Sequence, residues 1–511
     1  MRKQRITLRV VVLLALLVAA VGFFWGHSDI SHTTRDDKTL RVVMLGSQNE
    51  TLEYGQAQTY FPWAVMGNVC DVLVRWRNGR LEYQLATAIE PNEDATRWTI
   101  RLRPDVYFSD GSRLSATNVL TSLQQLSQSI GFGSFFQDVD FAQSAIPDAL
   151  TLKLQLRHPR ADLVPAVLAA ASMVWKAGAR AGDFPVCSGP WQVSLFDGIN
   201  GAELTRNPYA WQPAVYFQRI VIRPLADAAA RVNALLSGAA DYAFDIPVSS
   251  ARMLKDQPKF RVLRSGIAGA NAFYFSMNTR IPPFNDVEVR QALKALVNRQ
   301  RLVDVVLEGY GYPGNDLFGQ GLPGGNTLAW PIKHDVEAAR QVFAQKGITT
   351  LTLLTADLTP GLNNAAELLR QQLAEIGVTL TLVRLNPADY LSDIGRLHQT
   401  PLMAMFALNR PFVAALPVLF GDNNPYNYGG WYPASMAERV TRLRATPEPS
   451  LQQPLLQQLQ MQVMHDGPYL VWGYRDQLSA AAADLQGVEL SQGVPLFADA
   501  DWIKGALANG R

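Results

Sequence analysis

The alternation of hydrophobic and polar positions is clearest in the middle of the chain. A mostly apolar run at residues 272–278 predicts a largely buried strand, and Pro282 and Pro283 exclude its regular continuation. After Asp286, apolar residues recur every three or four positions, which predicts a helix with an acidic N-terminus. A second helical segment follows and ends at Gly309. This stretch therefore predicts a strand, a rigid connection and two helices.

Shorter alternating segments dominate the first half of the chain. Residues 39–45 alternate weakly and predict a first strand at the edge of a sheet. Residues 98–103 and 151–156 alternate more regularly, as half-buried strands do. Ser115 is a suitable N-cap for a helical pattern that continues to Leu126. These segments predict strands interrupted by single helices.

The second half of the chain repeats strands and helices in alternation. Residues 351–355 and 378–383 predict strands, and residues 362–376 predict a helix between them. Short connections in this order favour a parallel crossover, which belongs to the α/β class. The chain has 511 residues, more than one ordinary hydrophobic core accommodates, so we expect at least two lobes.

The first 26 residues have the pattern of an export signal. Four basic side chains precede an apolar run at residues 10–25, and no acidic residue occurs before Asp29. The run is roughly 16 residues long, shorter than the ~20 that span a bilayer comfortably. Two interpretations of this segment therefore stay open: a cleaved signal peptide and a retained inner-membrane anchor. No cysteine follows closely, which argues against a lipid anchor.

Composition and charge narrow the class of protein. The chain is 48% hydrophobic and 18% charged, which is typical of a folded soluble protein. Its formal charge of +2 includes the four basic residues of the leader. Without the leader, 42 of the 46 basic residues remain, against 44 acidic residues. This near-neutral balance argues against a nucleic-acid partner, which calls for a basic surface.

The chain has two cysteines, Cys70 and Cys187. In an oxidising compartment such a pair is a candidate disulfide that closes a long loop. The alternative is two small buried thiols, because sequence separation says nothing about whether the two side chains can approach.

Signatures of enzymes and metal sites are weak. The six histidines lie far apart, without a pair at metal-ligand spacing, and the sequence has no nucleophile elbow or phosphate-binding loop. Residues 309–314 satisfy Gly-x-Gly-x-x-Gly but follow a predicted helix and contain a proline, unlike a dinucleotide-binding turn. We therefore expect neither catalysis nor a cofactor.

Several motifs resemble those of one family. Residues 98–119 fit Trp-x-x-x-Leu-Arg-x-x-Val-x-Phe-x-Asp-Gly-x-x-Leu-x-Ala-x-x-Val. Residues 275–278 fit Phe-x-Met-Asn, and residues 283–293 fit Pro-Phe-Asn-Asp-x-x-Val-Arg-Gln-Ala-Leu. Together they resemble the family 5 extracellular solute-binding proteins, which include the peptide- and nickel-binding proteins of bacterial ABC importers. Cys187 and Ser188 replace a Gly-Thr pair of that family.

The resemblance implies an α/β fold of the type II, cluster C-like periplasmic binding proteins, in which two lobes joined by a hinge enclose a ligand cleft. The hinge falls near residues 265–272, and the chain crosses back near 475–480. The implied organisation is a signal peptide or anchor at 1–26, lobe I at 36–268 plus 478–511 with an inserted subdomain at about 80–185, and lobe II at 269–477.

The resemblance also implies a function. We expect the substrate-binding component of an ABC importer, which captures a peptide-like or related small solute in the periplasm by lobe closure. Its partners would be the solute and the permease subunits in the inner membrane, and we expect a monomer. Two alternatives stay open: a nickel or metallophore receptor of the same fold, and an inner-membrane-anchored sensory or chaperone module that serves no importer.

The resemblance shows which positions of this sequence correspond to two ligand anchors of the dipeptide-binding members. Asn409 stands where those members have an aspartate for the α-ammonium of the ligand. Asn363 and Asn364 stand where they have an arginine for its carboxylate. Both anchors are therefore replaced, which favours a blocked, opine-like, metallophore or otherwise differently charged ligand over a free dipeptide.

Further candidate ligand contacts follow from side-chain chemistry. A guanidinium beside planar aromatic rings suits a ligand with an anionic group and a flat or apolar body. Simple packing of the aromatic side chains onto their own lobe is the alternative. The candidates are Arg410, Tyr426, Tyr428, Trp431 and Tyr432 in lobe II, and Tyr60, Trp63, Ser188 and Trp191 in lobe I.

Overall fold

The computed structural model describes residues 37–46, 50–53, 59–77, 79–129, 131–176, 184–325, 332–422, 424–491 and 493–503. The predicted leader at 1–26 lies outside these residues. The strands are β1 (Thr39–Met44), β2 (Val74–Arg77), β3 (Arg80–Tyr83), β4 (Ala86–Pro91), β5 (Arg97–Leu102), β6 (Val139–Asp148), β7 (Thr151–Leu156), β8 (Trp191–Asp197), β9 (Gly201–Arg206), β10 (Arg219–Pro224), β11 (Tyr242–Phe244), β12 (Phe260–Arg264), β13 (Asn271–Met277), β14 (Gly311–Pro313), β15 (Thr350–Ala356), β16 (Thr379–Leu385), β17 (Leu402–Leu408), β18 (Tyr469–Arg475), β19 (Leu478–Ala482), β20 (Leu485–Gln486), β21 (Glu489–Ser491), β22 (Val494–Leu496) and β23 (Asp501–Trp502).

The α-helices alternate with these strands mainly in the second half of the chain. They are α1 (Tyr60–Val69), α2 (Ala116–Ser127), α3 (Ala228–Leu236), α4 (Val248–Lys255), α5 (Gly266–Gly269), α6 (Val287–Leu296), α7 (Arg299–Leu302), α8 (Val336–Gln345), α9 (Leu362–Glu375), α10 (Pro387–Ser392), α11 (Ile394–His398), α12 (Phe412–Ala415), α13 (Ala434–Arg444) and α14 (Pro449–Asp466). A 3₁₀ turn covers Gly133–Phe136, and π-helical turns cover Leu163–Leu168, Val303–Leu307 and Leu416–Phe420.

A seven-stranded mixed sheet has the order β12-β19-β11-β1-β10-β9-β8. The prediction of an edge position for residues 39–45 is wrong, because β1 lies in the middle of this sheet. It pairs in parallel with β10 on one side, Leu40 opposite Ile220, and with β11 on the other. These partners come far later in the sequence, and the weak alternation reflects burial on both faces.

A six-stranded sheet has the order β14-β18-β13-β17-β15-β16. The predicted buried strand at 272–278 is confirmed as β13, and α6 begins as predicted after Asp286, whose carboxylate accepts a hydrogen bond from the Glu288 backbone N–H at 2.9 Å. The predicted parallel crossover is also confirmed, since β15 and β16 pair in parallel with α9 between them.

A four-stranded antiparallel sheet, β4-β5-β7-β6, carries α2. Its helix begins at the predicted cap, where the Ser115 backbone N–H donates to Asn118 Oδ1 at 3.0 Å. We call the seven- and four-stranded sheets with their helices the first lobe, and the six-stranded sheet with its helices the second lobe. The residue limits predicted for the lobes stay a prediction.

The chain passes between the lobes twice. The first passage runs from β12 to β13, and the second from β18 to β19, which pairs with β11 and β12 of the first lobe. Beside the second passage, Arg475 Nη2 lies 3.0 Å from Asp245 Oδ1, and both side chains are buried. Arg475 also donates to Thr359 Oγ1 at 3.1 Å, so one guanidinium ties residues of both lobes together.

The lobes also meet at their far ends. The Ala161 backbone N–H of the first lobe donates to the Arg444 carbonyl of the second lobe at 2.8 Å. The Arg444 guanidinium lies 3.5 Å from Asp138 and 3.8 Å from Asp162. Apolar side chains from both lobes join one continuous core nearby, including Phe135, Leu168, Phe412, Phe420 and Trp431. The cleft between the lobes is therefore closed in this structure.

Lys294 makes the stability of the second lobe sensitive to pH. Its side chain is buried, Nζ donates to the Met464 carbonyl at 2.8 Å, and burial lowers its pKa to about 8. Above pH 8 the unfolded chain, with an ordinary lysine pKa near ~10.4, binds more protons than the folded one. This residue therefore makes the free energy of unfolding rise with pH between about 8 and 10, by at most about 1.4 kcal/mol per pH unit.

We expect Lys294→Met to remove this pH-dependent contribution. The melting temperature of the wild type, measured relative to the variant, should rise as the buffer is taken from pH 8 to pH 10. Lys259→Met, at an exposed position, is the matched control. A constant difference between wild type and Lys294→Met across this range would contradict the prediction.

Candidate ligand-binding site

A cavity of about 100 Å³ lies in the closed cleft. The first lobe supplies most of its wall, and Arg410, which follows β17, comes from the second lobe. Pockets for drug-sized ligands usually measure ~300–1,000 Å³, so this space holds one small group rather than a whole solute. A larger guest requires the lobes to separate. Its lining includes Trp63, Cys70, Asp71, Arg75, Phe132 and Arg410.

A larger groove of about 520 Å³ lies elsewhere, between α4 and residues 308–310. It is an open surface feature, in which Arg252 pairs with Glu308 and Arg264 stacks over Tyr310 with 5.0 Å from its guanidinium carbon to the ring centroid. No residue that the sequence predicts as a ligand contact lines it. The smaller interlobe cavity is therefore the better candidate for the ligand site.

Asp71 is a cavity residue that the sequence analysis missed. Its Oδ2 accepts hydrogen bonds from Ser188 Oγ at 2.8 Å and from Trp211 Nε1 at 2.9 Å. Its Oδ1 accepts one from Gln212 Nε2 at 2.6 Å. Burial raises the pKa of this carboxyl group, and the three hydrogen bonds oppose that rise. The predicted candidate Ser188 is thus connected to the cavity by its hydrogen bond to Asp71.

The segment at 187–190 is fixed against the end of α1. Cys187 and Cys70 form a disulfide with their Cα atoms 4.8 Å apart. Gly189 donates its N–H to the Val69 carbonyl at 2.9 Å, and a Cβ at Gly189 would stand 2.7 Å from that oxygen. Asn207 Nδ2 donates to the Gly189 carbonyl at 2.8 Å. The segment therefore needs glycine at 189 and a short polar side chain at 207.

Arg410 and Asn409 are neighbours with different surroundings. The Arg410 guanidinium lies 6.0 Å from the centre of the Phe135 ring, across the lobe boundary. Asn409 is buried, and its Nδ2 donates to the carbonyls of Ile267 at 2.9 Å and Gln320 at 2.8 Å. The amide donors of Asn409 thus bind the backbone near the first passage. Its predicted contact with a ligand stays a prediction.

The aromatic loop of the second lobe is mostly interior. Tyr428 and Trp431 are 4% and 8% exposed, and they contact His398 and Phe420 with ring centroids 5.6 and 6.2 Å apart. These contacts fit the packing alternative for both residues. Tyr426 is only half-buried; burial raises the pKa of its hydroxyl, and the nearby charge of Arg410 opposes the rise. Of these three aromatic residues, Tyr426 is the one whose hydroxyl responds to the charge of the cavity residue Arg410.

Three further candidates lie away from the cavity as the described residues define it. Trp191 is fully buried in the first lobe and donates from Nε1 to the Phe217 carbonyl at 3.2 Å. Tyr60 accepts at its hydroxyl from Asn271 Nδ2 at 3.2 Å, beside the first passage. Asn363, at the start of α9, accepts from the Thr355 hydroxyl at 2.9 Å.

The described residues contain no group of three or more His, Cys, Asp or Glu side chains placed to hold a metal ion. Within the same residues, no helix has the length and apolar character needed to cross a bilayer.

Two lobes with a polar cavity between them define a binding protein for a small solute. Residues 80–409 match the family model described as bacterial extracellular solute-binding proteins, family 5, middle region. The chain belongs to this family, whose members bind peptide or chelate ligands and work with ABC permeases. The predicted family and its transport role are thereby confirmed.

Known proteins agree with this assignment. The glutathione-binding protein GsiB of Escherichia coli K12 is 24% identical over 366 residues, which cover 69% of this chain and 71% of that protein. Among solved structures, the periplasmic binding protein DppA of Helicobacter pylori superposes with a TM-score of 0.78 at 19% identity, covering 91% of this chain and 98% of that one. NikA of Staphylococcus aureus gives 0.78 at 17% identity, with 91% and 100% covered. The predicted two-lobed fold is confirmed.

We expect the Cys70–Cys187 disulfide to stabilise the first lobe. Replacing both cysteines by alanine opens a loop that spans 117 positions and should lower the free energy of unfolding by about 2–4 kcal/mol. Thermal unfolding of the double variant and of the wild type, each with and without reductant, tests this.

Reductant should lower the melting temperature of the wild type toward that of the double variant and leave the variant unchanged. Equal melting temperatures for the oxidised wild type and the double variant would contradict the prediction.

Proposed function

We propose that the protein captures a small peptide-like solute with an anionic group in the periplasm and delivers it to an ABC permease. The observation that carries this proposal is the position of Arg410, a second-lobe guanidinium in a cavity walled mainly by the first lobe. A ligand held by Arg410 while its body contacts Trp63 and Phe132 would draw the two lobes together. Lobe closure of this kind is a common way for two-lobed proteins to bind ligands.

The chemistry of the cavity suits such a ligand. A guanidinium binds carboxylates with two parallel hydrogen bonds, and it is more weakly hydrated than an ammonium group. The aromatic faces of Trp63 and Phe132 offer apolar contact to the rest of a solute. Closure removes water around Arg410 and strengthens its attraction for an anion.

The similar proteins support a peptide-like ligand. GsiB of Escherichia coli is a glutathione-binding protein, and DppA of Helicobacter pylori was solved with the peptide STSA. NikA of Staphylococcus aureus was solved with Ni(L-His)2, so a metal chelate is the second candidate ligand class. A chelate also carries carboxylates, and it needs few protein ligands for its metal.

The remaining features of the proposal follow from the family and the composition. The protein would bind without catalysis or cofactor, would act as a monomer, and would have no nucleic-acid partner. Its N-terminal segment would direct export, and it is either removed or kept as a tether to the inner membrane. Determination of the mature N-terminus separates these two forms.

We expect Arg410→Ala to weaken binding of peptides with a free C-terminal carboxylate by about 10- to 100-fold, the loss of one charge-assisted contact. Calorimetry with a panel of di- and tripeptides, including glutathione, measures this effect. Each peptide is compared with its C-terminal amide, which the variant and the wild type should bind alike.

Arg340→Ala, on the exposed face of α8, is the matched control and should bind as the wild type does. Equal affinities of wild type and Arg410→Ala for every free peptide would overturn the assignment of the anion to Arg410. Heat from the nickel–histidine complex with none from any peptide would favour the chelate receptor.

A further inference from the structure

We infer that Asp71, whose carboxylate Gln212 helps to hold, forms a subsite for a cationic group of the ligand, a primary ammonium in a peptide-like solute. The inference rests on the proposed function and narrows it: the cleft would select a solute that carries both signs of charge. The two anchors differ from those predicted by resemblance, since Asp71 belongs to the first lobe and Arg410 to the second.

The hydrogen bonds of Asp71 leave room for one more partner. Its carboxylate accepts from three neutral donors, Ser188 Oγ, Trp211 Nε1 and Gln212 Nε2. A carboxylate offers about four acceptor positions, so one remains after these three. Asp71 is among the residues that line the interlobe cavity, where a ligand cation would meet it.

Asp71 has no direct salt bridge with a Lys, Arg or His within the part of the chain that the structure describes. Arg75 lines the same cavity and its charge opposes the rise in the pKa of Asp71, but its Nε lies 3.1 Å from Glu82 Oε2 rather than on Asp71. A carboxylate removed from water and held by neutral donors is costly to keep ionised, and a ligand cation would offset that cost through a charge-assisted hydrogen bond.

Gln212 is a polar neighbour that holds Asp71. Its Nε2 donates to Asp71 Oδ1 at 2.6 Å, which sets the amide beside the carboxylate. The Oε1 of this amide is buried and has no hydrogen-bond partner among the described residues. Buried polar atoms are normally satisfied. Gln212 is not among the residues that line the cavity, so its hydrogen bond serves to hold the carboxylate of Asp71 in place.

The subsite is built before a ligand arrives. Asp71 directly follows Cys70, and Ser188 directly follows Cys187, so the disulfide and the Ser188–Asp71 hydrogen bond join the same two segments side by side. Such a double connection limits the movement of the carboxylate. A pre-positioned group binds its ligand with less loss of conformational freedom.

A purely structural role for Asp71 is the competing explanation. In that case its carboxylate would only connect α1 to residues 188–212, and its loss would lower stability without changing ligand choice. Asp71→Asn separates the two explanations, because it keeps the size of the side chain and removes its charge.

The experiment compares wild type, Asp71→Asn and the exposed control Asp304→Asn. Each is titrated by calorimetry with di- and tripeptides, including glutathione, and with the N-acetylated form of each peptide. We expect the wild type to bind at least one free peptide at least ~10-fold more tightly than its acetylated form, the worth of one charge-assisted contact. Asp71→Asn should bring this ratio close to one, and Asp304→Asn should leave it unchanged.

Each outcome decides the matter. If Asp71→Asn keeps the wild-type ratio, or if the wild type prefers acetylated peptides, the inference is wrong while the proposed function stands. If the wild type binds no peptide in either form, the peptide proposal itself fails, and this inference with it. The melting temperature of unliganded Asp71→Asn shows whether the variant is folded; a folded variant with an unchanged ratio counts against the subsite.

Discussion

The buried ion pair between Arg475 and Asp245 determines how the two lobes meet. Arg475 is the last residue of β18 in the second lobe, and Asp245 follows β11 in the first lobe. Both side chains are almost completely buried, and the buried Arg231 lies 4.0 Å from the other oxygen of Asp245. Removing Asp245 would therefore leave the charge of Arg475 uncompensated, which typically costs ~3–5 kcal/mol. Every interlobe contact, including those around the cavity, depends on the orientation that this pair helps to fix.

The far ends of the lobes add a second connection. There the Ala161 N–H donates to the Arg444 carbonyl, and the Arg444 guanidinium approaches the carboxylates of Asp138 and Asp162. These ion pairs are only partly exposed, and the apolar core with Phe135 and Phe420 continues across the same end, so parting the far ends requires the separation of charged and apolar contacts. The space between the two connections is small because the lobes are closed, which agrees with a clamp that admits its solute only when the far ends part.

The candidate site joins rigid and movable parts. On the first lobe, a disulfide and the contacts of Gly189 and Asn207 fix the surroundings of Asp71. On the second lobe, Arg410 follows a strand whose next residue, Asn409, binds backbone carbonyls near the first passage between the lobes. Asp71 of the first lobe and Arg410 of the second lobe thus line one cavity in the closed structure.

The sequence alone determined the elements whose signals are local. Strand β13, helix α6 with its cap at Asp286, and the β15-α9-β16 crossover follow from periodicity and capping, and the motifs at 98–119 and 283–293 identify the family. The tertiary structure decided the rest. Only it shows that β1 is central, that Asp71 lines the cavity, and that the amide of Asn409 binds backbone, because each depends on partners about 90 to 180 residues away that no local pattern encodes.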